Sequence, residues 1–475
     1  MNVILKKLTP FVKRGALFTK QFVHRKPCLM PKRWNGGQID SYFFVDEERD
    51  LNNPDYSEIS NEYLGTIAKG HRVLVIQPYI KWGKDKKKDT TRELQLAEAV
   101  ALVQTLPYWT VVEKLWAPLL SLDRKQFFGK GTLTKIKSLL DSQCNITAVF
   151  ISVNTLKHEQ LLELQKIFKL PVYDRYSLVI HIFRSHAKSP EAKLQVALAE
   201  LPYIYEKMSE INGQINLLEK RRLFLQSREG QLRNALQKLK THRESVRTKR
   251  KKYGFATVAI VGYTNAGKTS LIKALTGDKK LTPKNYLFAT LDTTAHQGVL
   301  PSTMKVLYID TIGFIQDVPE TLIEPFVATL EDAMVADIIV HVYDVSHPDC
   351  KAQIEHVRKT LKSLSDANKP TIEVANKCDL IEPGNLPKDA LGISATETTG
   401  IDILRHEIER LILSETGRSI MKMRVESGSE AFAWLYKEAT VISAEPDPKN
   451  LQFMLLNVIV TDDLLHRFRR FLKSL

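Results

Sequence analysis

The chain is poor in the residues and runs that mark several specialised protein classes. Of 475 residues only four are cysteine. Cys28, Cys144, Cys350 and Cys378 show no CxxC or CxxxC spacing, so neither a disulfide scaffold nor a cysteine zinc site is indicated, and a reducing compartment fits. Uninterrupted apolar runs never approach about 18 residues, the minimum for a membrane-spanning helix. With 43% hydrophobic and 26% charged residues, the composition excludes a collagen-like, low-complexity or mostly disordered chain. At roughly 150 residues per domain, the length allows about three domains.

Acids are missing from the start of the chain. Before Asp40 stand nine basic residues, Lys6, Lys7, Lys13, Arg14, Lys20, Arg25, Lys26, Lys32 and Arg33, interleaved with Ile, Leu, Phe and Val. That composition reads as a mitochondrial transit segment over 1–39, although Pro10 interrupts any long amphipathic helix; a basic tail that touches RNA is the alternative. Net charge is +15, and residues 204–252 carry fourteen basic and five acidic side chains. Once 1–39 and 204–252 are set aside the remainder is slightly acidic, so the basic character is localised and points to a polyanionic partner.

Residues 40–69 are polar and acidic without a clear period and read as a linker. From 70 to 189, strand-like and helix-like runs alternate: strands at 71–80, 145–153 and 177–183, helices at 92–106 and 158–168, together a small α/β domain. The loop 81–89 (KWGKDKKKD) is a solvated basic turn or a phosphate contact. Over 190–252 the period changes. Ile204, Ile211, Leu218, Leu225, Leu232, Leu239 and Val246 stand seven apart, a heptad pattern, with Gly213 a break that turns one rod into a helical hairpin. Lys and Arg dominate the polar face of this arm, which is either merely solvated or built for a phosphate backbone. Residues 417–475 read as strands at 419–426, 438–446 and 451–460 with helices at 429–437 and 463–475, a small α+β domain. There Arg467, Arg469 and Arg470 are a helix's polar face or an RNA contact.

The region 253–416 carries the chemistry. After the apolar strand beginning at Ala256 come Gly262, Tyr263, Thr264, Asn265, Ala266, Gly267, Lys268 and Thr269, the GxxxxGK[ST] pattern, followed by Ser270 and a helix. Glycines let successive N–H groups and the helix N-terminus face phosphates. Lys268 suits the β- and γ-phosphates and the Thr269 hydroxyl suits Mg²⁺. A second strand ends in Asp310, Thr311, Ile312 and Gly313, placed for an Mg²⁺-linked water and a γ-phosphate amide. A third ends in Asn376, Lys377, Cys378 and Asp379. Its aspartate can accept from the ring N–H and amine of guanine, which adenine does not offer. Ser394 and Ala395 supply a backbone contact to the guanine carbonyl. The ligand is therefore expected to be GTP or GDP with Mg²⁺, the metal held by Thr269, Asp310 and a switch threonine. Thr290 is the choice for that switch, with Thr293 and Thr294 as alternatives. Catalysis is assigned to Lys268, Thr290 and Gly313.

Phe314 follows Gly313, where the best-understood GTPases have a water-orienting glutamine. A phenylalanine cannot orient water, so slow intrinsic turnover is expected. Asn265 either helps hold K⁺ beside the phosphates or simply stabilises the turn.

These motifs, together with LFATLDTTAH (287–296), DTIGFIQDVP (310–319), the 326–348 stretch and VYDRYSLVIHIFRSHAKSPEAKLQVALAEL (172–201), resemble the HflX family of GTPases. The Phe128-Gly129-Lys130-Gly131 loop is similar to a loop of that family's N-terminal domain. The resemblance covers roughly 70–415 and implies an α/β multidomain fold: a small α/β N-terminal domain, a helical coiled arm, a Ras-like P-loop GTPase domain and here a small α+β C-terminal domain. It further implies K⁺-assisted, ribosome-stimulated hydrolysis and binding to the ribosome's large subunit and rRNA. With the transit-like start, the animal mitochondrial branch is the nearest in kind: a monomeric matrix factor for recycling or late large-subunit assembly. The family's glycine-rich arm tip is reduced here to Gly213, a departure that bears on splitting rather than on binding. The competing reading is an rRNA-binding assembly scaffold for which GTP is an occupancy signal. A third reading, a membrane-remodelling GTPase, is disfavoured because the sequence shows neither a transmembrane segment nor an evident lipid-binding amphipathic helix.

Overall fold

The structure, a computed structural model, describes residues 54–474 apart from 66–69, 81–89, 120, 144, 209–214, 253–254, 285, 316–321, 323, 327–333, 365–368, 383, 385 and 388. The transit-like segment, the start of the supposed linker, the basic loop 81–89 and the Gly213 break lie outside the described residues.

The first described element is a helix, α1 (Pro54–Leu64), inside the stretch read as linker. It is held because Tyr56, Ile59 and Leu64 are buried and because the Tyr56 hydroxyl donates to Glu200 Oε2 at 2.6 Å. Its apolar positions are too few and too diluted by acids to announce a helix on their own.

Then follow β1 (Arg72–Ile80), α2 (Arg92–Thr105), β2 (Thr110–Leu119), α3 (Lys130–Ser142), β3 (Ala148–Ile151), α4 (His158–Phe168), β4 (Val172–Tyr173) and α5 (Arg175–His186). The four strands form a parallel sheet in the order β2-β1-β3-β4. One expectation fails here: 177–183 is not a strand but the middle of α5. Asp174 caps it, accepting from Ser177 N at 2.8 Å while Ser177 Oγ answers the Asp174 amide at 3.1 Å. Residues 175–183 are buried on every side, so the helix shows no polar face and its apolar run is indistinguishable from a buried strand.

The arm consists of α6 (Pro190–Met208), which contains Pro202, and α7 (Ile215–Lys252). The heptad positions explain their packing: Ile204, Leu225, Leu232 and Leu239 are all buried in the core shared with α1, α2 and α5. Arg228 departs from the reading of a solvated basic face. It is 4% exposed, with its guanidinium 3.9 Å from the centroid of the Tyr56 ring. Arg221 pairs with Glu62 at 3.1 Å, Arg233 with Glu229 at 2.9 Å, and Arg243 with Glu191. Arg221 and Arg228 therefore fasten α7 to α1 and Arg243 ties it to α6, while Lys220, Arg222 and Lys238 remain exposed.

The next unit contains β5 (Ala256–Gly262), α8 (Lys268–Thr276), β6 (Thr294–Val299), β7 (Lys305–Asp310), β8 (Ile338–Asp344), α9 (Cys350–Leu364), β9 (Thr371–Asn376), β10 (Leu391–Gly392) and α10 (Ile401–Glu415). Its sheet runs β10-β9-β8-β5-β7-β6, parallel except for the antiparallel β6–β7 pair. Burial on both faces explains the continuous apolar runs of β5 and β8. The chain ends in β11 (Ser419–Glu426), α11 (Glu430–Glu438), β12 (Thr440–Pro446), β13 (Phe453–Val460) and α12 (Asp462–Ser474), an antiparallel sheet ordered β11-β13-β12. Among the described residues no helix is long and apolar enough to cross a membrane.

Leu225 is fully buried in the arm core. Leu225→Ala is expected to cost about 2–5 kcal/mol, seen as a lower urea midpoint with an unchanged slope.

Candidate nucleotide-binding site

Parallel strands deliver their C-terminal ends to one edge, where ligands of open α/β sheets bind. At that edge β5 runs into the phosphate loop, β7 into Asp310–Gly313, β9 into Asn376–Asp379 and β10 into Ser394 and Ala395. The structure thus gathers the four motifs.

The phosphate loop is fixed by backbone. Phe314 N donates to Gly262 O at 3.1 Å and Thr264 N to Phe314 O at 2.7 Å, so loop and Asp310–Gly313 segment are pinned together. Gly267 caps α8 with φ +93°, and a Cβ there would lie 2.2 Å from Asn376 Nδ2; no other residue type fits. At Gly313 a Cβ would come within 3.0 Å of Lys268 Nζ. Asn265 is exposed with φ 61°, a left-handed turn position that asparagine tolerates. Tyr263 is buried, its hydroxyl donating to Glu98 Oε2 at 3.2 Å.

Lys268 folds back on the loop, donating to Tyr263 O at 2.9 Å and Gly262 O at 3.2 Å. Burial brings its pKa down to about 8, against the pull of Asp310. Burial also raises the Asp310 pKa, opposed by Lys268, Thr269 and Thr290. Three oxygens converge beside them: Thr269 Oγ1 is 2.8 Å from Asp310 Oδ2, Thr290 Oγ1 is 3.2 Å from the same oxygen, and the two hydroxyls are 3.1 Å apart. Adjacent ligands of an octahedral ion bound at 2.0–2.1 Å stand about 2.9 Å apart, so this all-oxygen triangle has the size and hardness that suit Mg²⁺. Asp310 Oδ1 and Thr264 Oγ1 are buried without a protein partner, acceptor and donor capacity that a hydrated phosphate–metal group would use. Thr293 and Thr294 do not join this cluster; Thr294 bonds His296 instead. Thr311 is buried, donating to Ile260 O at 2.7 Å, and Ile312 is buried beside it; their side chains serve packing. Ser270 lies half-buried in the first turn of α8.

On the base side, Asn376 Nδ2 donates to Ala266 O at 2.8 Å and its Oδ1 accepts from Ala395 N at 3.1 Å. The Ala395 amide, expected to face a guanine carbonyl, is thus engaged by Asn376. Ser394 is buried. Lys377, with φ 63°, pairs with Asp344 at 2.6 Å. Asp379 is exposed. Asp344 was not anticipated, though it ends β8 and the rule that strand ends face the site would have found it.

A cavity of about 50 Å³ lies between the phosphate loop and the Thr290 segment. A larger one, about 990 Å³, opens beside it toward the ends of β1 and β3, lined by Gln77, Glu98, Arg175, Asn265, Asp344 and His347 among others.

A glycine cradle, a buried lysine at the start of α8, an oxygen triangle and an Asn-Lys-x-Asp base loop define a P-loop protein of the GTP-binding class. Residues 257–377 match the family described as 50S ribosome-binding GTPase, and 93–184 match GTP-binding GTPase N-terminal. The chain is 38% identical to GTP-binding protein 6 of Xenopus laevis, over 92% of this chain and 86% of that one. It is 39% identical to the protein of that name from Homo sapiens, over 85% and 81%. It is 33% identical to GTPase HflX of Caldanaerobacter subterraneus subsp. tengcongensis, over 82% and 91%. Of solved structures, the SsGBP–GDP complex is similar with a TM-score of 0.44 and 25% identity, covering 72% of this chain and 99% of that one. The chain belongs to the HflX family of GTPases, and with that membership comes use of GTP and GDP with Mg²⁺.

Lys268→Ala is expected to abolish nucleotide binding, and Asp379→Asn to reduce the preference for GDP over ADP, both read by equilibrium titration. Phosphate needs the ammonium form of Lys268, and its pKa is about 8 in the free protein. Affinity for GDP should therefore fall as pH rises above 8, by up to about tenfold per unit, with proton uptake on binding. The same depressed lysine makes the free fold gain stability between pH 8 and the usual lysine range, because there only the unfolded chain holds that proton.

Proposed function

We propose that this chain is a mitochondrial matrix GTPase that acts as a monomer on the large ribosomal subunit, in recycling or late assembly. One observation carries the reading: a full set of guanine-nucleotide motifs and a long basic helix occur on one HflX-family chain. The transit-like 1–39 composition supports the compartment. The units 70–189, 190–252, 253–416 and 417–475 are assigned as N-terminal domain, arm, GTPase domain and C-terminal domain.

Within the site, Lys268 and the amides of the 262–269 loop hold the β- and γ-phosphates. Thr269, Thr290 and Asp310 hold Mg²⁺, which supplies charge compensation for phosphoryl transfer. The Gly313 amide addresses the γ-phosphate, and Asp379 selects guanine with Lys377 along the base. Asn265, exposed at the mouth of the loop, is assigned to K⁺. Phe314 is buried and tied by its backbone to Gly262 and Thr264, so it has no part in orienting water. That favours stimulation by a partner, and it also supports a second reading, an rRNA-binding assembly scaffold in which turnover is incidental.

GTP turnover with and without purified mitochondrial large subunits, alongside sedimentation of intact ribosomes, tests this. Stimulation together with appearance of free subunits is expected; binding without either supports the scaffold. Replacing Lys220, Arg222 and Lys238 by Gln should weaken large-subunit binding and flatten its salt dependence by roughly one unit of slope for each lost phosphate contact. An unchanged slope removes the arm from the interface.

A further inference from the structure

The segment carrying Thr290 is held at both ends by the corner between α5 and α6. At its start, His186 Nδ1 donates to the Phe288 carbonyl at 2.9 Å, and the imidazole stacks on Tyr286 with centroids 5.0 Å apart. At its end, Asp292 accepts from Ser189 twice, from the amide at 3.3 Å and from the hydroxyl. The same hydroxyl accepts from Ala192 N at 3.0 Å, so Ser189 caps α6 and grips Asp292 with one side chain. Beneath the segment, the Phe183 ring packs edge-on against Phe288 at 5.0 Å and against Phe326 at 4.8 Å.

Phe288 has φ 52°. A bulky side chain keeps a left-handed backbone only where its surroundings over-determine it. Here they do, through a hydrogen bond to its carbonyl and an aromatic wall against its ring. The carboxylate of Asp292 also sits at the N-terminus of a 19-residue helix, where the helix dipole favours negative charge. Between the two grips, Thr290 meets Thr269 and Asp310 at the distances given above.

We propose that His186 and Ser189 are positioning residues for the GTPase: the α5–α6 corner holds the 287–292 segment so that the Thr290 hydroxyl stands ready when GTP arrives. This rests on the assignment of Thr290 to the metal and the γ-phosphate. A free loop would have to be ordered by the nucleotide, at the expense of affinity; a loop already held avoids that cost. GDP has no γ-phosphate for the loop to close on, so the benefit falls on GTP. The N-terminal domain thereby sets how well the site distinguishes the two nucleotides.

The test uses the full chain with Asp292→Asn, Ser189→Gly and His186→Leu, measuring affinity for GDP and for the β,γ-imido analogue of GTP across an Mg²⁺ titration. GDP affinity is expected to stay within about twofold of the parent, while analogue affinity falls about tenfold and needs more Mg²⁺. Ser189→Thr, which keeps the hydroxyl, should restore the parent values. Glycine is well tolerated as a helix cap, and Asp292→Asn leaves the cap intact, so a folding defect in one variant does not remove the test. Equal losses for both nucleotides, or no loss in any folded variant, would overturn the positioning role. A parent chain that binds neither nucleotide would overturn the GTPase reading itself, a result separable from the first two.

Discussion

One carboxamide joins three loops. The Asn376 side chain donates to the phosphate loop at Ala266, accepts from the 394–395 loop, and occupies the space that any side chain at position 267 would need. Strand ends alone bring these loops to one edge of the sheet, but they do not set their mutual spacing to a few tenths of an ångström. Asn376 does, and a nucleotide spanning base and phosphate pockets requires that spacing. Loss of this one amide would leave the phosphate loop, the Asp310–Gly313 segment and Asp379 in the sequence but remove the bonds that set their spacing.

A second constraint is the absence of a clean seam between the N-terminal unit and the GTPase unit. A single apolar cluster runs from Tyr56 and Leu102 through Phe183 and Leu225 to Phe288, Ile312 and Phe314. Polar contacts follow the same line: Tyr263 of the phosphate loop reaches Glu98, which pairs with the buried Arg175 at 2.5 Å. Residues beside Thr290 and within the Asp310–Phe314 segment therefore share packing with the arm. Close-packed interiors transmit displacement, because a methylene-sized mismatch is already costly.

The nucleotide motifs were legible because phosphate and guanine demand particular residue types at fixed spacings, whatever the rest of the chain does. The heptads were legible for a similar reason, since a repeated burial position leaves a period. What escaped was set by tertiary partners. In α5 the apolar residues face core on every side and leave no period, and α1 is stabilised by Glu200 and Arg228, which lie far along the chain. Charge counting could not tell that Arg228 would sit over the Tyr56 ring while Arg222 faced solvent. The contacts of His186 and Ser189 with the Thr290 segment span more than a hundred residues, and each of these residue types is ordinary where it stands.

Pro202 lies within α6. Lacking an N–H, it leaves the carbonyl four residues earlier without its helical donor, and its ring crowds that turn. The turns before it are locked into the N-terminal core, with residues 194–201 buried. The turn beyond it is buried as well, at Tyr203, Ile204, Lys207 and Met208, so packing on both sides of the missing hydrogen bond splints the helix where its own ladder is weakest.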